Sequence, residues 1–255
     1  PPRWRDDPGD GASRALATAS PHRSSLGSRR ARDHALPAMQ ERFRKVVSRR
    51  PPGKVQIEVA TMGFFDTEEG VLEYERMAEG YDGRELITRL RRHLPEGSSV
   101  LEIGMGPGKD LDLLLESYAA TGSDRSEVFL DRYRSRGGSA EVLMLDAASL
   151  DTERHFDAIY SNKVLHHLTR EELSRSLERQ AEILDPGGIA LHSLWYGDRE
   201  EEHAGLRFVY YDERTFAAHL PDALSLVELE RYTELERGDS LVVVLKRADR
   251  PQRRA

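Results

Sequence analysis

The sequence predicts an α/β fold: a doubly wound, mostly parallel β-sheet that ends in an antiparallel hairpin. From residue 99 to residue 194, short apolar segments alternate with amphipathic segments of helical period. This alternation is typical of βαβ units, in which helices cover both faces of a parallel sheet. Near the C-terminus, two strand-like segments are separated only by residues 236–239, which are too few for a crossover helix. The last two strands are therefore predicted to be antiparallel.

The individual elements follow from this alternation. Strands are predicted at residues 99–103, 119–123, 141–145, 156–161 and 188–194, with helices between them at 111–117, 127–135 and 170–184. In the third helix, apolar residues recur at helical spacing: Leu173, Leu177, Ala181 and Leu184. Thr169 and Glu172 form a capping-box pattern before it, and the turn residues 185–188 end it. This helix is predicted to pack on the sheet.

The chain divides into three predicted segments. Residues 1–37 are rich in Arg, Ser, Ala and Pro and hold almost no large apolar side chains, so we expect a disordered tail. Residues 38–98 are predicted to form an N-terminal cap, with helices at 70–78 and 83–94, that packs on the main domain. Residues 99–248 form that main domain. Because Met39 follows the tail, we interpret the tail as an upstream extension of the reading frame or as part of a fragment.

Composition restricts the partners. The chain of 255 residues has a formal net charge of −7 and no cysteine. Disulfides, thiolate metal sites and a cysteine nucleophile are excluded, and the histidines lack a metal-ligand spacing, so no metal is predicted. Non-specific binding of nucleic acid needs a basic surface. No apolar stretch approaches the roughly 18 residues of a membrane span. We expect a cytoplasmic protein without nucleic-acid or membrane partners; its oligomeric state stays open.

The segment "VLEIGMGPGKDL", residues 100–111, places three glycines at alternate positions directly after an apolar run. A phosphate-binding P-loop needs Lys followed by Ser or Thr, whereas Asp110 follows Lys109. A dinucleotide loop needs its third glycine where Lys109 stands. An acidic residue does follow Gly104 by about 20 positions, at Asp124. A NAD(P)-dependent oxidoreductase therefore stays an alternative.

"VLEIGMGPGKDL" also resembles the first motif of class I S-adenosylmethionine (SAM)-dependent methyltransferases: a hydrophobic strand, an acidic residue and Gly-x-Gly-x-Gly. Four further segments resemble that family in order: "ATGSD", "VLMLDAASL", "FDAIYSNKVLHHL" and "AEILDPGGIAL". The resemblance runs from about Tyr81 to Lys246. It implies a Rossmann-like, seven-stranded sheet with an antiparallel end, SAM as cofactor, and an enzyme that transfers a methyl group.

The resemblance also implies a set of cofactor-binding residues: Tyr81, Glu102, Gly104, Gly106, Gly108, Asp124, Asp146, Ala147 and Asn162. The glycines allow the backbone to approach the ligand. Glu102 is expected to meet the methionine ammonium or to hold the loop. Asp124 is suited to accept hydrogen bonds from the ribose diol. Asp146 and Ala147 are expected to receive the adenine, although Asp146 is also interpretable as a simple turn acid.

A sulfonium methyl is already activated, so alignment and desolvation supply most of the acceleration. If a general base is needed, His166 and His167 are the candidates, and at most one of them is expected to face the site. The Asn/Asp-Pro-Pro-aromatic signature of base amino methylation is absent; residues 161–164 read Ser-Asn-Lys-Val instead. We therefore expect a small-molecule acceptor, held by the cap and by the aromatic insertion 194–216. A catalytically silent SAM-binding or scaffold protein stays a second alternative.

Overall fold

The computed structural model describes residues 63–203 and 206–249, which belong to one compact unit. Its first five strands are β1 (Ser99–Ile103), β2 (Ala119–Asp124), β3 (Glu141–Met144), β4 (Phe156–Asn162) and β5 (Leu184–Trp195). A separate hairpin follows, formed by β6 (Glu200–His203) and β7 (Leu206–Val209), and the chain then adds β8 (Leu224–Tyr232) and β9 (Ser240–Arg247).

The main sheet has seven strands in the order β3-β2-β1-β4-β5-β9-β8. Strands β1 to β5 are parallel, whereas β9 runs antiparallel to both β5 and β8. The predicted α/β fold with its antiparallel end is therefore confirmed. The order reverses at β1, and the crevice outside the carboxyl ends of the strands at such a point is where open α/β sheets bind ligands.

Six α-helices accompany the strands in these two ranges: α1 (Glu68–Met77), α2 (Arg84–Leu90), α3 (Lys109–Leu114), α4 (Glu127–Ser135), α5 (Arg170–Ile183) and α6 (Glu213–Ala217). Two 3-10 turns lie at Phe64–Asp66 and Leu165–His167. Helix α4 has the predicted bounds, and α5 begins with the predicted capping box of Thr169 and Glu172. None of the helices described is long and apolar enough to cross a membrane.

The core has two parts, one on each face of the sheet. On one face, Leu173 and Leu177 of α5 and Phe216 of α6 pack with Leu101 of β1. On the other face, side chains of α2, α3 and α4 pack against Val100 and its neighbours. Alternate residues of β1 thus serve opposite cores, which explains why Val100, Leu101 and Ile103 are all apolar and buried.

Several bounds differ from the sequence prediction, among them those of α2, which ends at Leu90 rather than at residue 94. Strand β5 begins at Leu184 rather than at residue 188, with a register shift opposite β4 between Phe156 and Ala158. Helix α3 begins at Lys109, directly after the left-handed Gly108. The insertion 194–216 contains the unpredicted hairpin of β6 and β7. The predicted tail and residues 38–62 of the predicted cap lie outside the described residues, so the division into three segments stays a prediction.

The α5 face supplies a test of the core. Leu177 is fully buried, so Leu177→Ala is expected to lower the free energy of unfolding by about 2–5 kcal/mol through lost transfer energy and an unfilled cavity. Leu226, which is 42% exposed in β8, provides the matched control, and Leu226→Ala is expected to change stability by about 0.5 kcal/mol or less. Urea unfolding of both variants measures the difference. Equal losses would contradict this packing.

Candidate active site

The glycine loop between β1 and α3 adopts a conformation that other residues rarely take. Gly104, Gly106 and Gly108 have φ angles of 66°, 50° and 80°, all in the left-handed region. A Cβ atom at Gly104 would lie 2.6 Å from the methyl groups of Val164. The loop therefore needs glycine at this position both for its backbone angle and for the close approach of the segment that follows β4.

Asp124, at the end of β2, fixes this loop. One carboxylate oxygen accepts the Gly106 N–H and the other accepts the Ser126 N–H, both at 2.9 Å. Burial raises the pKa of Asp124, and the two backbone donors oppose that rise. A carboxylate oxygen can accept more than one hydrogen bond, so each oxygen of Asp124 can still accept one from a ligand hydroxyl.

Glu102, at the end of β1, is buried, and its Oε2 atom has no hydrogen-bond partner in the described part of the chain. Burial raises the pKa of Glu102 well above its usual value, and the nearby carboxylates of Asp110 and Asp124 raise it further. The one cation of the loop, Lys109, donates instead to the Ala78 carbonyl at 2.7 Å. This end of the site is therefore acidic and suited to a ligand that brings a positive charge or a hydrogen-bond donor.

Asp110 joins several elements, a role that the sequence prediction missed. Its Oδ1 accepts the Gly83 N–H at 2.6 Å. Its Oδ2 accepts from the Tyr160 hydroxyl at 2.8 Å and from the Asn162 amide at 3.0 Å. The Asn162 carbonyl oxygen in turn accepts from the Ser193 hydroxyl at 2.6 Å. Asn162 is thus held at both ends, and Asp110 ties the segment before α2 to the end of β4.

The predicted adenine segment follows β3. Asp146 is exposed and accepts the Ala148 N–H at 2.8 Å, so it forms a turn, whereas Ala147 is half-buried. The Ala147 carbonyl accepts from the Ser176 hydroxyl of α5 at 2.6 Å. The position of this segment therefore depends on the packing of α5.

Ser176 is the end of a buried chain of hydrogen bonds. The Gln180 amide donates to Ser176 at 3.1 Å, and the Gln180 carbonyl faces His192 Nε2 at 2.8 Å. Because that oxygen only accepts, Nε2 carries the proton and Nδ1 accepts from the Ser161 hydroxyl at 2.8 Å. Every donor thus points in one direction, from β4 through β5 and α5 to Ala147. A fully satisfied network of this kind fixes its members in place.

The two predicted catalytic histidines lie side by side, with ring centroids 4.0 Å apart. His166 is 2% exposed, and neither of its ring nitrogens has a hydrogen-bond partner among the residues described. His167 Nδ1 lies 2.7 Å from the Arg207 carbonyl, so Nδ1 carries the proton and Nε2 is the acceptor nitrogen. Burial lowers the pKa of His166 well below its usual value and that of His167 to about 4. Both rings are therefore neutral near pH 7.

Lys163, in the left-handed region with a φ of 56°, was not singled out in the sequence. Its ammonium donates to the Leu194 carbonyl at 2.8 Å and lies 3.0 Å from a Glu234 carboxylate oxygen. It also lies 4.0 Å from the centre of the Trp195 ring. Burial lowers the pKa of Lys163, whereas Glu234 raises it. Lys163 therefore joins the ends of β4 and β5 to the segment before β9.

One cavity of about 520 Å³ brings most of the predicted residues together. Its lining includes ten of them: Tyr81, Glu102, Gly104, Gly106, Asp124, Asp146, Ala147, Asn162, His166 and His167. Gly108 is absent from this lining, whereas Tyr74 of the predicted cap and Trp195 and Tyr210 of the insertion 194–216 are present. Within residues 63–203 and 206–249, no group of three or more His, Asp or Glu side chains is arranged to hold a metal ion.

Comparison with known proteins agrees with this geometry. Residues 100–188 match the family model of a methyltransferase domain. A tRNA (carboxymethyluridine(34)-5-O)-methyltransferase of Arabidopsis thaliana is 34% identical over 110 residues, which are 42% of this chain and 26% of that protein. A dTDP-3-amino-3,4,6-trideoxy-alpha-D-glucopyranose N,N-dimethyltransferase of Streptomyces venezuelae is 31% identical over 122 residues, 47% of this chain and 50% of that protein.

Solved structures show the same fold. A SAM-bound amino pentose methyltransferase of Micromonospora echinaspora aligns with a TM-score of 0.57 and 15% identity, over 70% of this chain and 97% of that one. A 1,6-didemethyltoxoflavin-N1-methyltransferase of Burkholderia thailandensis, with S-adenosylhomocysteine bound, aligns with a TM-score of 0.53 and 22% identity. The alignment covers 78% of this chain and 93% of that one.

Residues 100–188 match a methyltransferase domain, and the fold is the one seen in SAM-dependent methyltransferases of known structure. The predicted resemblance to these enzymes, including the enzyme class and the cofactor, is confirmed at the level of this domain. The expectation of a small-molecule acceptor without nucleic acid is wrong, because several relatives are named as tRNA methyltransferases. The missing Pro-Pro-aromatic signature argues only against methylation of a planar amino group and leaves oxygen methylation on RNA open.

The buried chain through His192 predicts a pH effect. The pKa of His192 falls from 6.5 to about 3 on burial, so between these values the unfolded chain binds a proton that the folded chain does not. This stabilising contribution is complete above pH 6.5 and is lost as the pH falls toward 3. In His192→Gln, stability is therefore expected to fall less steeply with acidification, by up to about 1.4 kcal/mol per pH unit.

Urea unfolding between neutral and mildly acidic pH measures this slope. His155→Gln, the same substitution at an exposed position, controls for the loss of a histidine from the chain. An unchanged slope in His192→Gln would show that His192 is not held neutral by burial.

The glycine loop predicts a second effect. Gly97, which lies outside this loop, provides the control: its φ is 81°, and a Cβ atom added there would have no other atom within 4 Å. Gly97→Ala is therefore expected to cost only the strain of the left-handed backbone, about 1–2 kcal/mol. Gly104→Ala carries the same strain and also a clash with Val164, so it is expected to lower the melting temperature further. Thermal unfolding compares the two variants, and equal shifts would contradict the close approach of Val164.

Proposed function

We propose that the chain transfers a methyl group from SAM to an acceptor that enters the same cavity. The observation that carries this proposal is the pair of backbone hydrogen bonds by which Asp124 holds the left-handed glycine loop open toward the cavity. A loop with glycine at three alternate positions and an acid at the end of β2 suit the ribose and methionine parts of SAM. Glu102 at the end of β1 adds a carboxylate oxygen that has no partner among the described residues.

Different residues of the cavity would bind different parts of the cofactor. The unpartnered Oε2 of Glu102 is placed to accept from the methionine ammonium, and the N-terminal end of α3 favours the carboxylate. The spare acceptor capacity of Asp124 serves the ribose hydroxyls. Asp146 and the Ala147 N–H serve the adenine, and Tyr81 covers the cavity from the cap side. Asn162 acts by holding the end of β4 beside Asp110.

SAM supplies an electrophilic sulfonium methyl group when it is bound. The role of the protein is to orient the acceptor in line with that methyl group and to exclude water from it. If the acceptor must lose a proton, His167 Nε2 is one acceptor nitrogen in the cavity, because Nδ1 donates to the Arg207 carbonyl. A pKa of about 4 makes His167 a weak base, so the acceptor has to be acidic or to lose its proton late.

For the acceptor, similarity to proteins named as tRNA methyltransferases supports a nucleobase in tRNA as the first candidate. That similarity covers only 26% of the Arabidopsis protein, so recognition of a whole tRNA has to be tested directly. Labelled SAM, offered together with total tRNA and with a fraction of small metabolites, separates a catalyst from a silent SAM-binding protein. Binding of NAD(P) instead of SAM would favour the oxidoreductase alternative.

Asp124 provides the test of cofactor binding. Asp124→Ala removes both the loop anchor and the ribose acceptor, so the affinity for SAM is expected to fall about 10–100-fold, equivalent to roughly 1.4–2.8 kcal/mol. Asp131→Ala makes the same change of charge at an exposed site on α4 and serves as the control. Calorimetric titration of both folded variants decides the outcome. Unchanged affinity in Asp124→Ala would remove Asp124 from the ribose role, and failure of the unsubstituted protein to bind SAM would refute the function.

A further inference from the structure

Next to the glycine loop, the cavity has a second region that the cofactor residues do not use. It surrounds His166 and His167 with Phe65 from the first 3-10 turn, Trp195 from the end of β5 and Phe208 from β7, and we refer to these five residues as the aromatic end. It adjoins the cofactor loop, because Val164 packs against Gly104 only two residues before His166.

The rings of the aromatic end are arranged around the histidines. Phe208 stacks on His166 at 5.4 Å with an angle of 24° between the rings, and it meets His167 edge-on at 4.9 Å. Trp195 lies edge-on to His166 at 6.2 Å, and Phe65 lies edge-on to His167 at the same distance. Aromatic walls of this kind favour flat, unsaturated groups, which gain stacking and edge contacts that a puckered ring does not provide.

The buried ring of His166 indicates that a ligand in this region also makes hydrogen bonds. It is almost fully buried in the cavity wall, and both of its ring nitrogens are unpartnered in the part of the chain that the structure describes. A neutral imidazole offers one N–H donor and one acceptor nitrogen. Because buried polar groups are normally hydrogen-bonded, these two atoms indicate a ligand that supplies a complementary acceptor or donor.

The charges around the aromatic end disfavour a cationic ligand. A protonated aliphatic amine, such as that of an amino sugar, would need an available carboxylate when buried. The two carboxylates that line this part of the cavity are already paired, Glu234 with Lys163 at 3.0 Å and Glu201 with Arg199 at 2.7 Å. Both histidines are neutral and offer no counter-charge to a cation.

We infer that the aromatic end is the acceptor subsite and that it takes a planar, unsaturated ring without positive charge, whose hydrogen-bonding edge pairs with His166. This inference rests on the proposed methyl transfer and specifies its substrate class. A nucleobase presented by RNA and a free heteroaromatic compound share this chemistry. The hairpin of β6 and β7, which supplies Phe208 and binds His167 through the Arg207 carbonyl, then acts as the wall that selects the acceptor.

The test measures binding to the full chain saturated with S-adenosylhomocysteine. Uridine is the planar probe, and dihydrouridine offers similar hydrogen-bonding atoms on a puckered ring. Glucosamine is the cationic, saturated probe. An anticodon stem-loop RNA that carries uridine forms the second arm. Calorimetry gives the affinities, and nitrogen NMR of the histidine rings reports whether His166 gains a hydrogen bond.

Uridine is expected to bind saturably, at least about tenfold more tightly than dihydrouridine or glucosamine, and to shift the His166 ring nitrogens. His166→Phe keeps a flat ring but removes both nitrogens, so uridine affinity is expected to fall by about tenfold while S-adenosylhomocysteine affinity stays within about twofold. His155→Phe, the same substitution at an exposed histidine, is the control. Tighter binding of the RNA than of free uridine would identify a nucleobase carried on RNA, and equal binding would identify a free ring.

The subsite is refuted if neither uridine nor the uridine-bearing RNA binds, if dihydrouridine or glucosamine binds as tightly as uridine, or if His166→Phe leaves uridine binding unchanged. These results differ from a failure of the proposed function, in which S-adenosylhomocysteine itself would not bind.

Discussion

The candidate site depends on one carboxylate that two backbone segments share. Asp124 accepts the Gly106 N–H of the loop after β1 and the Ser126 N–H before α4, one with each oxygen. This fixes the separation of two loops that follow neighbouring strands. Burial opposes the charge on Asp124, and the backbone donors compensate for it. With the loop anchored, its left-handed glycines leave room for a ligand on the cavity side.

Two polar networks extend this constraint to the rest of the domain. Asp110 of α3 accepts hydrogen bonds from Gly83, Tyr160 and Asn162, so it connects the segment before α2 and the end of β4 to the helix that follows the cofactor loop. On the opposite face of the sheet, the chain through His192 ends at the Ala147 carbonyl. Buried networks in which every donor has an acceptor rigidify their surroundings. Both ends of the cofactor cavity are thus supported from the core.

The acceptor side is built differently. Phe65 precedes the sheet, Trp195 ends β5, and Phe208 belongs to a hairpin outside the seven-stranded sheet. These pieces contribute little to the main core, so they vary at less cost to folding than β1 or α5 would. This division agrees with the comparisons, in which proteins similar to less than half of this chain are named for acceptors as different as tRNA and an amino sugar.

By itself, the sequence determined most of the strand and helix pattern, the bounds of α4, the capping box of α5 and the antiparallel end, because hydrophobic period, caps and turn residues act within a few neighbouring residues. The cofactor class followed from the resemblance of its motifs to a known family. Only the tertiary structure decided the role of Asp110, whose partner Tyr160 is 50 residues away. The same holds for the His166 nitrogens, which have no partner within residues 63–203 and 206–249. The hairpin was missed because Glu200–His203 is polar throughout and lacks the alternation that indicates a strand. Long-range contacts of this kind depend on how distant segments pack, and no local pattern specifies them.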